Sequence, residues 1–192
     1  MKKKIFAVAV IVICLALLAS GTLAYFTTDA IARNVITTGY VDIDLIEKQI
    51  DDDGTEVDFP QEAITGIMPG STVSKIVSVK NTGAESWIRV SVEKKVTSAA
   101  GKELPDDVVT FTVDESKWLL KDGYYYHLMP VATESSTEIL FDEVYFVPTM
   151  GNEYQNCKTE IIVYAQAVQT ANNGTTVEEA AGWPAGEELP LA

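Results

Sequence analysis

Two hydrophobic patterns divide this chain. After three lysines, an unbroken apolar run extends from Ile5 to Ala19, and no charged residue follows until Asp29. Beyond Ala24, apolar and polar residues alternate with a period of two, and Gly, Pro, Asn and Asp interrupt the alternation at short intervals. A period of two is typical of half-buried β-strands. The pattern therefore predicts a short apolar N-terminal helix followed by a domain built from strands.

The alternating part of the chain predicts about nine strands separated by turns. Asp-Gly at positions 53–54 and 122–123 is the strongest turn signal, because this dipeptide suits a type I′ hairpin. The strands are predicted at residues 41–50, 55–59, 72–80, 87–97, 109–113, 118–120, 124–128, 137–147 and 159–170. One helical turn is predicted near residues 177–181, and no long helix after residue 24. Many short antiparallel strands in one domain indicate an all-β sandwich or barrel.

The N-terminal run has the composition of a secretory signal peptide, with a basic start, an apolar core and small residues at its exit. Small residues are required at positions −3 and −1 of the cleavage site, so Thr22 and Ala24 predict a mature chain that starts at Tyr25. A second frame, three residues earlier, also fits. The alternative is an uncleaved anchor, because the uncharged stretch reaches Phe26 and is just long enough to span a bilayer.

The charge balance excludes some classes of function. The 192 residues include 28 acidic and 14 basic side chains, a net charge of −14, and removal of the three N-terminal lysines leaves −17. Binding to nucleic acid or anionic lipid needs clustered basic residues, so neither is predicted. Cys14 leaves with the signal peptide, and Cys157 cannot form an internal disulfide alone. We expect Cys157 to be a small buried apolar residue.

Candidate catalytic residues are few. His127 is the only histidine, so the two-histidine helix of zinc proteases is absent from the sequence. His127 lies in a predicted strand next to Tyr126, where a structural role is expected. No catalytic residue, zinc site or cofactor is predicted.

An acidic loop from Asp51 to Asp58 is the one metal-like cluster in the sequence. The calcium-loop spacing requires an acid at its first position and Glu at its twelfth, whereas Gln49 and Pro60 occupy these positions. The loop is therefore interpreted as a solvated hairpin tip, with weak calcium binding as the alternative.

Three consecutive tyrosines, Tyr124, Tyr125 and Tyr126, raise the question of ligand stacking. Successive residues of a strand face opposite sides, so at most two of the rings share a surface. Packing across the hairpin on Trp118 is predicted instead.

Several motifs resemble the TasA/camelysin family of secreted bacterial proteins, which carry a SipW-dependent type of signal peptide. The most specific are GTLAYFT at residues 21–27 and NVITTGYVDI at residues 34–43. Further similar segments lie at residues 68–73, 79–83, 87–90, 122–126 and 165–169. The resemblance implies a SipW-type signal peptidase that cleaves after Ala24. It also implies a jelly-roll β-sandwich at residues 25–182, between a signal peptide at 1–24 and an irregular tail at 183–192.

The family resemblance also implies a function. TasA polymerises into biofilm matrix fibres, in which the N-terminal segment of one subunit completes the sheet of the next. Here the segment begins with β-prone residues, and an extended segment of this kind can add to an open sheet edge. The residues expected to carry assembly are Tyr25, Phe26, Thr27, Thr28 and Ile31. An alternative is that this segment forms the first strand of its own sandwich.

The sequence thus predicts a secreted structural protein of the bacterial extracellular matrix or cell surface. Its expected partner is a second copy of itself, together with other matrix subunits, and no membrane anchor remains after cleavage. Camelysin-type relatives imply a second hypothesis, a surface metalloendopeptidase, although no zinc-ligand motif is visible. A non-enzymatic surface binding module is the third.

Overall fold

A computed structural model of the protein describes residues 41–60 and 68–184. The predicted signal helix and the N-terminal segment lie outside these ranges. Ten strands are present in the described part: β1 (Ile43–Ile50), β2 (Glu56–Asp58), β3 (Thr72–Asn81), β4 (Ser86–Thr97), β5 (Glu103–Leu104), β6 (Val109–Thr110), β7 (Trp118–Lys121), β8 (Tyr124–His127), β9 (Phe141–Phe146) and β10 (Lys158–Gln169). One 3₁₀ helix spans Asn152–Tyr154. No helix within the described ranges has the length and hydrophobicity needed to span a bilayer.

The strands form two antiparallel sheets. Sheet A has the order β2-β1-β3-β9-β6, and sheet B has the order β10-β4-β8-β7, with β5 also paired to β4. Every registered pair of strands is antiparallel. This architecture confirms the predicted all-β antiparallel sandwich.

The core lies between the two sheets and follows the predicted alternation. Val77 and Val79 of β3 and Ile88 and Val90 of β4 are completely buried and belong to one hydrophobic cluster. Trp118 of β7 belongs to the same cluster, and its indole N–H donates to the carbonyl of Ile139 at 3.2 Å. The inward faces of both sheets therefore supply the apolar burial that stabilises the domain.

The predicted hairpin turns are confirmed. Asp122 and Gly123 have φ values of 52° and 79°, and these two left-handed residues connect β7 to β8. Gly54 has a φ of 78° in the turn that connects β1 to β2. Asp and Gly tolerate the left-handed region better than most residues do, and for this reason the dipeptide identified the turns.

Several strand bounds differ from the sequence prediction. β9 begins at Phe141 rather than at residue 137, and its pairing with β3 shifts register between Ser74 and Val77. The preceding segment still contacts β3, since the N–H of Leu140 donates to the carbonyl of Val77 at 2.8 Å. β6 is two residues long, β5 was not predicted, and the predicted helical turn at residues 177–181 is a turn at residues 177–179. Alternation reports which side chains are buried, whereas strand assignment depends on backbone pairing.

The two ends of sheet B differ in their distance from the first described strand residue, Ile43. We call the end near Ile43 the entry end and the opposite end the distal end. At the entry end, Ile43 pairs with Asn81, and Ser86 pairs with Gln169. At the distal end of sheet B, Thr97 pairs with Lys158. β10 therefore runs from the distal end to the entry end.

Candidate functional site

The residues predicted for signal cleavage and strand addition lie outside the described part of the chain; they are Thr22, Ala24, Tyr25, Phe26, Thr27, Thr28 and Ile31. The structure does describe the residues that follow this segment, from Val41 on. The carbonyl of Asp42 accepts hydrogen bonds from the N–H groups of Thr82 and Gly83, at 2.9 and 3.0 Å. These bonds hold the beginning of the described domain at the entry end.

The acidic loop is organised by its own hydrogen bonds. One carboxylate oxygen of Asp51 accepts from the N–H groups of Asp53 and Thr55, at 3.0 and 2.8 Å. Glu56 forms an ion pair with Lys48 at 2.6 Å. Across residues 41–60 and 68–184, no group of three or more His, Cys, Asp and Glu side chains is arranged to hold a metal ion.

His127 is a buried connector between β8 and the segment that precedes β9. Its ring is 3% exposed and packs edge-on against Trp118 at 4.9 Å. Nδ1 lies 2.6 Å from the carbonyl oxygen of Met129, and Nε2 lies 2.5 Å from a carboxylate oxygen of Glu138. A backbone carbonyl and a carboxylate therefore lie within hydrogen-bond distance of the two ring nitrogens. Both nitrogens are engaged, in agreement with the structural role that the sequence predicted.

The His127–Glu138 contact makes stability depend on pH. The hydrogen bond from His127 holds the pKa of Glu138 below its usual value of 4.5, and Lys117 lies 3.9 Å away. A carboxyl whose pKa is lower in the folded state stabilises the fold above its unfolded pKa, and this stabilisation is lost as pH falls through the folded value.

We therefore expect Glu138→Gln to lower the melting temperature near neutral pH, and the difference from the wild type to shrink below about pH 4.5. Thermal unfolding followed by circular dichroism over this range measures the effect. Glu143→Gln, at an exposed position of β9, is the matched control and should show no such difference. A Glu138→Gln difference that persists unchanged into strong acid would contradict the assignment.

The three tyrosines are divided between the two faces of sheet B. The rings of Tyr124 and Tyr126 lie on one face, 6.3 Å apart, whereas Tyr125 packs against the main core. The prediction that at most two rings share a surface is confirmed. The ring that packs directly on Trp118 is that of His127, because these two residues are opposite in the hairpin register, and Tyr125 is the tyrosine that packs against the cluster containing Trp118.

Arg89 lies at the centre of the outer face of sheet B, and the sequence did not single it out. It is 9% exposed, and its guanidinium carbon lies 3.9 Å from the ring centre of Tyr124 and 4.6 Å from that of Trp183. Its nitrogens donate to Gln166 Oε1 at 2.8 Å and to the Tyr126 hydroxyl at 3.0 Å. Aromatic stacking and hydrogen bonding together compensate for burial of the charge.

Residues 171–184, which we call the C-terminal strap, cover this outer face. The strap carbonyl of Asn173 accepts a hydrogen bond from the Trp87 indole at 3.1 Å, and the carbonyl of Pro184 accepts one from Arg89 at 3.3 Å. Val177 is buried in a small second core with Trp87, Tyr126 and Val168. Trp183, the first residue of the predicted irregular tail, therefore belongs to a packed segment; the only sequence signal was its aromatic ring.

The outermost strands of the described sheets differ greatly in length. β2, β6 and β7 contain three, two and four residues, whereas β10 contains twelve. β10 pairs with β4 over its full length and is the last strand of sheet B in the described part of the chain. Tyr164 and Ala167 of β10 have further interactions within the chain. Proteins usually keep outer strands short or charged to prevent pairing with other chains.

A groove of about 650 Å³ opens at the entry end of sheet B, and we call it the entry groove. Three segments line it, at residues 85–87, 128–130 and 170–176. Its apolar lining residues include Trp87, which is 4% exposed, and Met129, which is 63% exposed. At its rim, the carboxylate of Glu85 accepts a hydrogen bond from the hydroxyl of Thr170 at 2.9 Å. The sequence contains no signal for this groove, since its walls come from distant segments.

The fold defines the class first: over the described residues, the chain is an all-β sandwich protein. Residues 1–114 match the family model described as camelysin metallo-endopeptidase. The match covers more than half of the 192 residues, so the chain belongs to the camelysin family, as the sequence motifs predicted. This is a family of bacterial surface and secreted proteins, and the chain is a TasA/camelysin-like surface protein. Searches of curated proteins and of solved structures found no match.

Proposed function

We propose that the mature chain is a secreted structural subunit of the bacterial extracellular or biofilm matrix. A SipW-type signal peptidase cleaves after Ala24, and the segment that then begins at Tyr25 adds as a donor strand next to β10 of another subunit. Repetition of this step produces a fibre, and other matrix subunits with a similar segment use the same edge. The observation that carries the proposal is the length of β10, the last strand of described sheet B.

The dimensions of β10 suit the addition of a strand. Twelve residues of antiparallel strand span about 40 Å, which matches a segment such as residues 25–36. Main-chain hydrogen bonds along such an edge provide affinity, and alternate side chains provide specificity. Because Tyr164 and Ala167 already have interactions, the proposal does not require a bare edge. An incoming strand either replaces the groups that contact Tyr164 and Ala167 in the monomer or pairs beside them.

Charge favours the N-terminal segment over other contacts between subunits. Residues 25–40 contain one acid, Asp29, and one base, Arg33, and cleavage adds a positively charged amine at Tyr25. The mature chain as a whole carries −17, so the bodies of two subunits repel each other while the segment does not. Salt screens repulsion between exposed charges, and acid removes it.

We expect purified protein that starts at Tyr25 to form filaments above a threshold concentration. The threshold should fall when salt is added or pH is lowered, because both reduce repulsion between the acidic bodies. Negative-stain electron microscopy and sedimentation of the same samples measure the outcome. Protein that stays monomeric under all of these conditions would contradict fibre formation and favour a surface binding module.

The description of the matched family favours a second candidate function, a metal-dependent endopeptidase. His127 is a poor ligand candidate, because Met129 and Glu138 engage its two ring nitrogens. We expect no casein cleavage that is sensitive to a chelator. Cleavage that disappears both with the chelator and in His127→Ala, while a folded Glu143→Gln control remains active, would establish the enzyme instead.

A further inference from the structure

We infer that the entry groove binds Tyr25 and Phe26 of a second copy of this chain, whose N-terminal segment runs antiparallel to β10. The inference rests on the proposed function and deepens it, since it names the direction of pairing and the pocket for the leading residues. Three observations carry it: the direction of β10, the place where the chain enters the sandwich, and the chemistry of the groove.

The direction of β10 determines where the incoming segment begins. β10 runs from Lys158 at the distal end to Gln169 at the entry end. A strand antiparallel to β10 must therefore start near Gln169 and finish near Lys158. Thr170, the residue after β10, lines the entry groove and bonds to Glu85 at its rim. The first residues of an antiparallel segment, Tyr25 and Phe26, thus come next to Thr170, which forms one wall of the groove.

The position of Asp42 at the entry end determines whether strand addition gives an open polymer or a closed dimer. The N-terminal segment of each subunit leads to Asp42, which is held at the entry end. Antiparallel addition places the donor body beyond the distal end of the acceptor, so the contact is head-to-tail and does not close. Parallel addition would bring two entry ends together, and the product would be a reciprocal dimer or an intrachain strand. All described strand pairs are antiparallel, which favours the open arrangement.

The length of the segment agrees with this arrangement. Sixteen residues separate a chain start at Tyr25 from Val41, the first residue that the structure describes. Twelve of them match β10, and the other four can span about 13 Å to the next body. The segment is therefore long enough to place its first residues at the groove while its last residues reach the adjacent subunit.

The groove has the chemistry that an aromatic N-terminus requires. Met129, which is 63% exposed, provides an apolar sulfur contact that favours aromatic rings, and Trp87, which is 4% exposed, contributes only the small accessible part of its side chain. A volume of about 650 Å³ is of the size that binds small organic groups. Glu85 supplies a negative charge at the rim, which complements the amine that cleavage creates on Tyr25.

Photochemical cross-linking in the full mature chain tests the inference. Phe26 is replaced by a benzophenone-bearing phenylalanine, and unlabelled and ¹⁵N-labelled chains are mixed before assembly and irradiation. We expect cross-links between chains, mapped by mass spectrometry to residues 128–130 or 170–176. Cross-links between chains near Lys158 would indicate parallel addition, which overturns the antiparallel direction and the open arrangement but keeps strand addition between subunits. Cross-links confined to single chains would overturn the proposed function as well.

Matched surface variants provide an independent measurement. Met129→Glu introduces a charge into the groove, and Leu120→Glu introduces the same charge at a residue of β7 that is 60% exposed. We expect Met129→Glu to raise the threshold concentration about tenfold or more, because the rings must then pack against a carboxylate. Leu120→Glu should leave the threshold within about twofold of the wild type. Equal thresholds for all three proteins would overturn the groove as the docking site while confirming assembly.

Discussion

Deletion of residues 25–31 from the mature chain is expected to abolish filament formation and to leave the melting temperature of the monomer almost unchanged. Tyr25 and Phe26 supply most of the apolar area in this segment, and each aromatic ring buries about 150–250 Å². At about 25 cal/mol per Å², this corresponds to about 4–6 kcal/mol per ring as an upper bound. Half of that free energy would be enough to determine whether subunits assemble. The monomer should remain stable, because the buried core residues of the described part lie between Val41 and Val177.

A chain in which residues 25–31 are scrambled is the matched control for the deletion. It keeps length, composition and charge, and it should also fail to assemble if the order of the residues matters. The two measurements are electron microscopy of concentrated samples and thermal unfolding of dilute ones. If the deleted protein unfolds many degrees earlier, the segment is an intramolecular first strand, because ladder bonds and core contacts are then lost together.

Replacement of Arg89 by Ala is expected to destabilise the monomer by about 3 kcal/mol, which is about 6–12 °C in melting temperature. The substitution removes stacking on Tyr124 and Trp183 and leaves the buried side-chain oxygen of Gln166 without its donor. The strap also loses the hydrogen bond to its last described carbonyl, at Pro184. Thermal unfolding measures the loss, and tryptophan fluorescence reports release of the strap.

Arg89→Lys is the informative companion variant. Lysine keeps the charge but lacks the planar, multiply donating group that reaches Gln166, Tyr126 and Pro184 together, so we expect only partial recovery of stability. Lys95→Ala, on the same strand, controls for the loss of a basic residue from this acidic protein. A loss below about 1 kcal/mol in Arg89→Ala, with unchanged fluorescence, would mean that the strap stays in place without Arg89.

The sequence alone determined the class of the protein and much of its local structure. Alternation along β3 and β4 identified Val77, Val79, Ile88 and Val90 as inward residues, because burial on one face of a strand repeats every second position. Asp122-Gly123 identified its hairpin, because few dipeptides adopt two left-handed residues. The motifs around Tyr25 and Val41 indicated the family. All of these signals are local, and each can be interpreted without knowing which strands are neighbours.

Only the tertiary structure decided which strands are outermost and what covers the outer face of sheet B. Arg89 alternates with core residues and has the pattern of a solvated position, yet the strap buries it from 82 or more residues away in the chain. β10 and β4 resemble each other in pattern and length, but β4 is central and β10 is the last described strand. Strand order and the entry groove arise from pairing between distant segments. Periodicity along one strand carries no information about such pairing, because it records the burial of side chains and not the partners of the backbone.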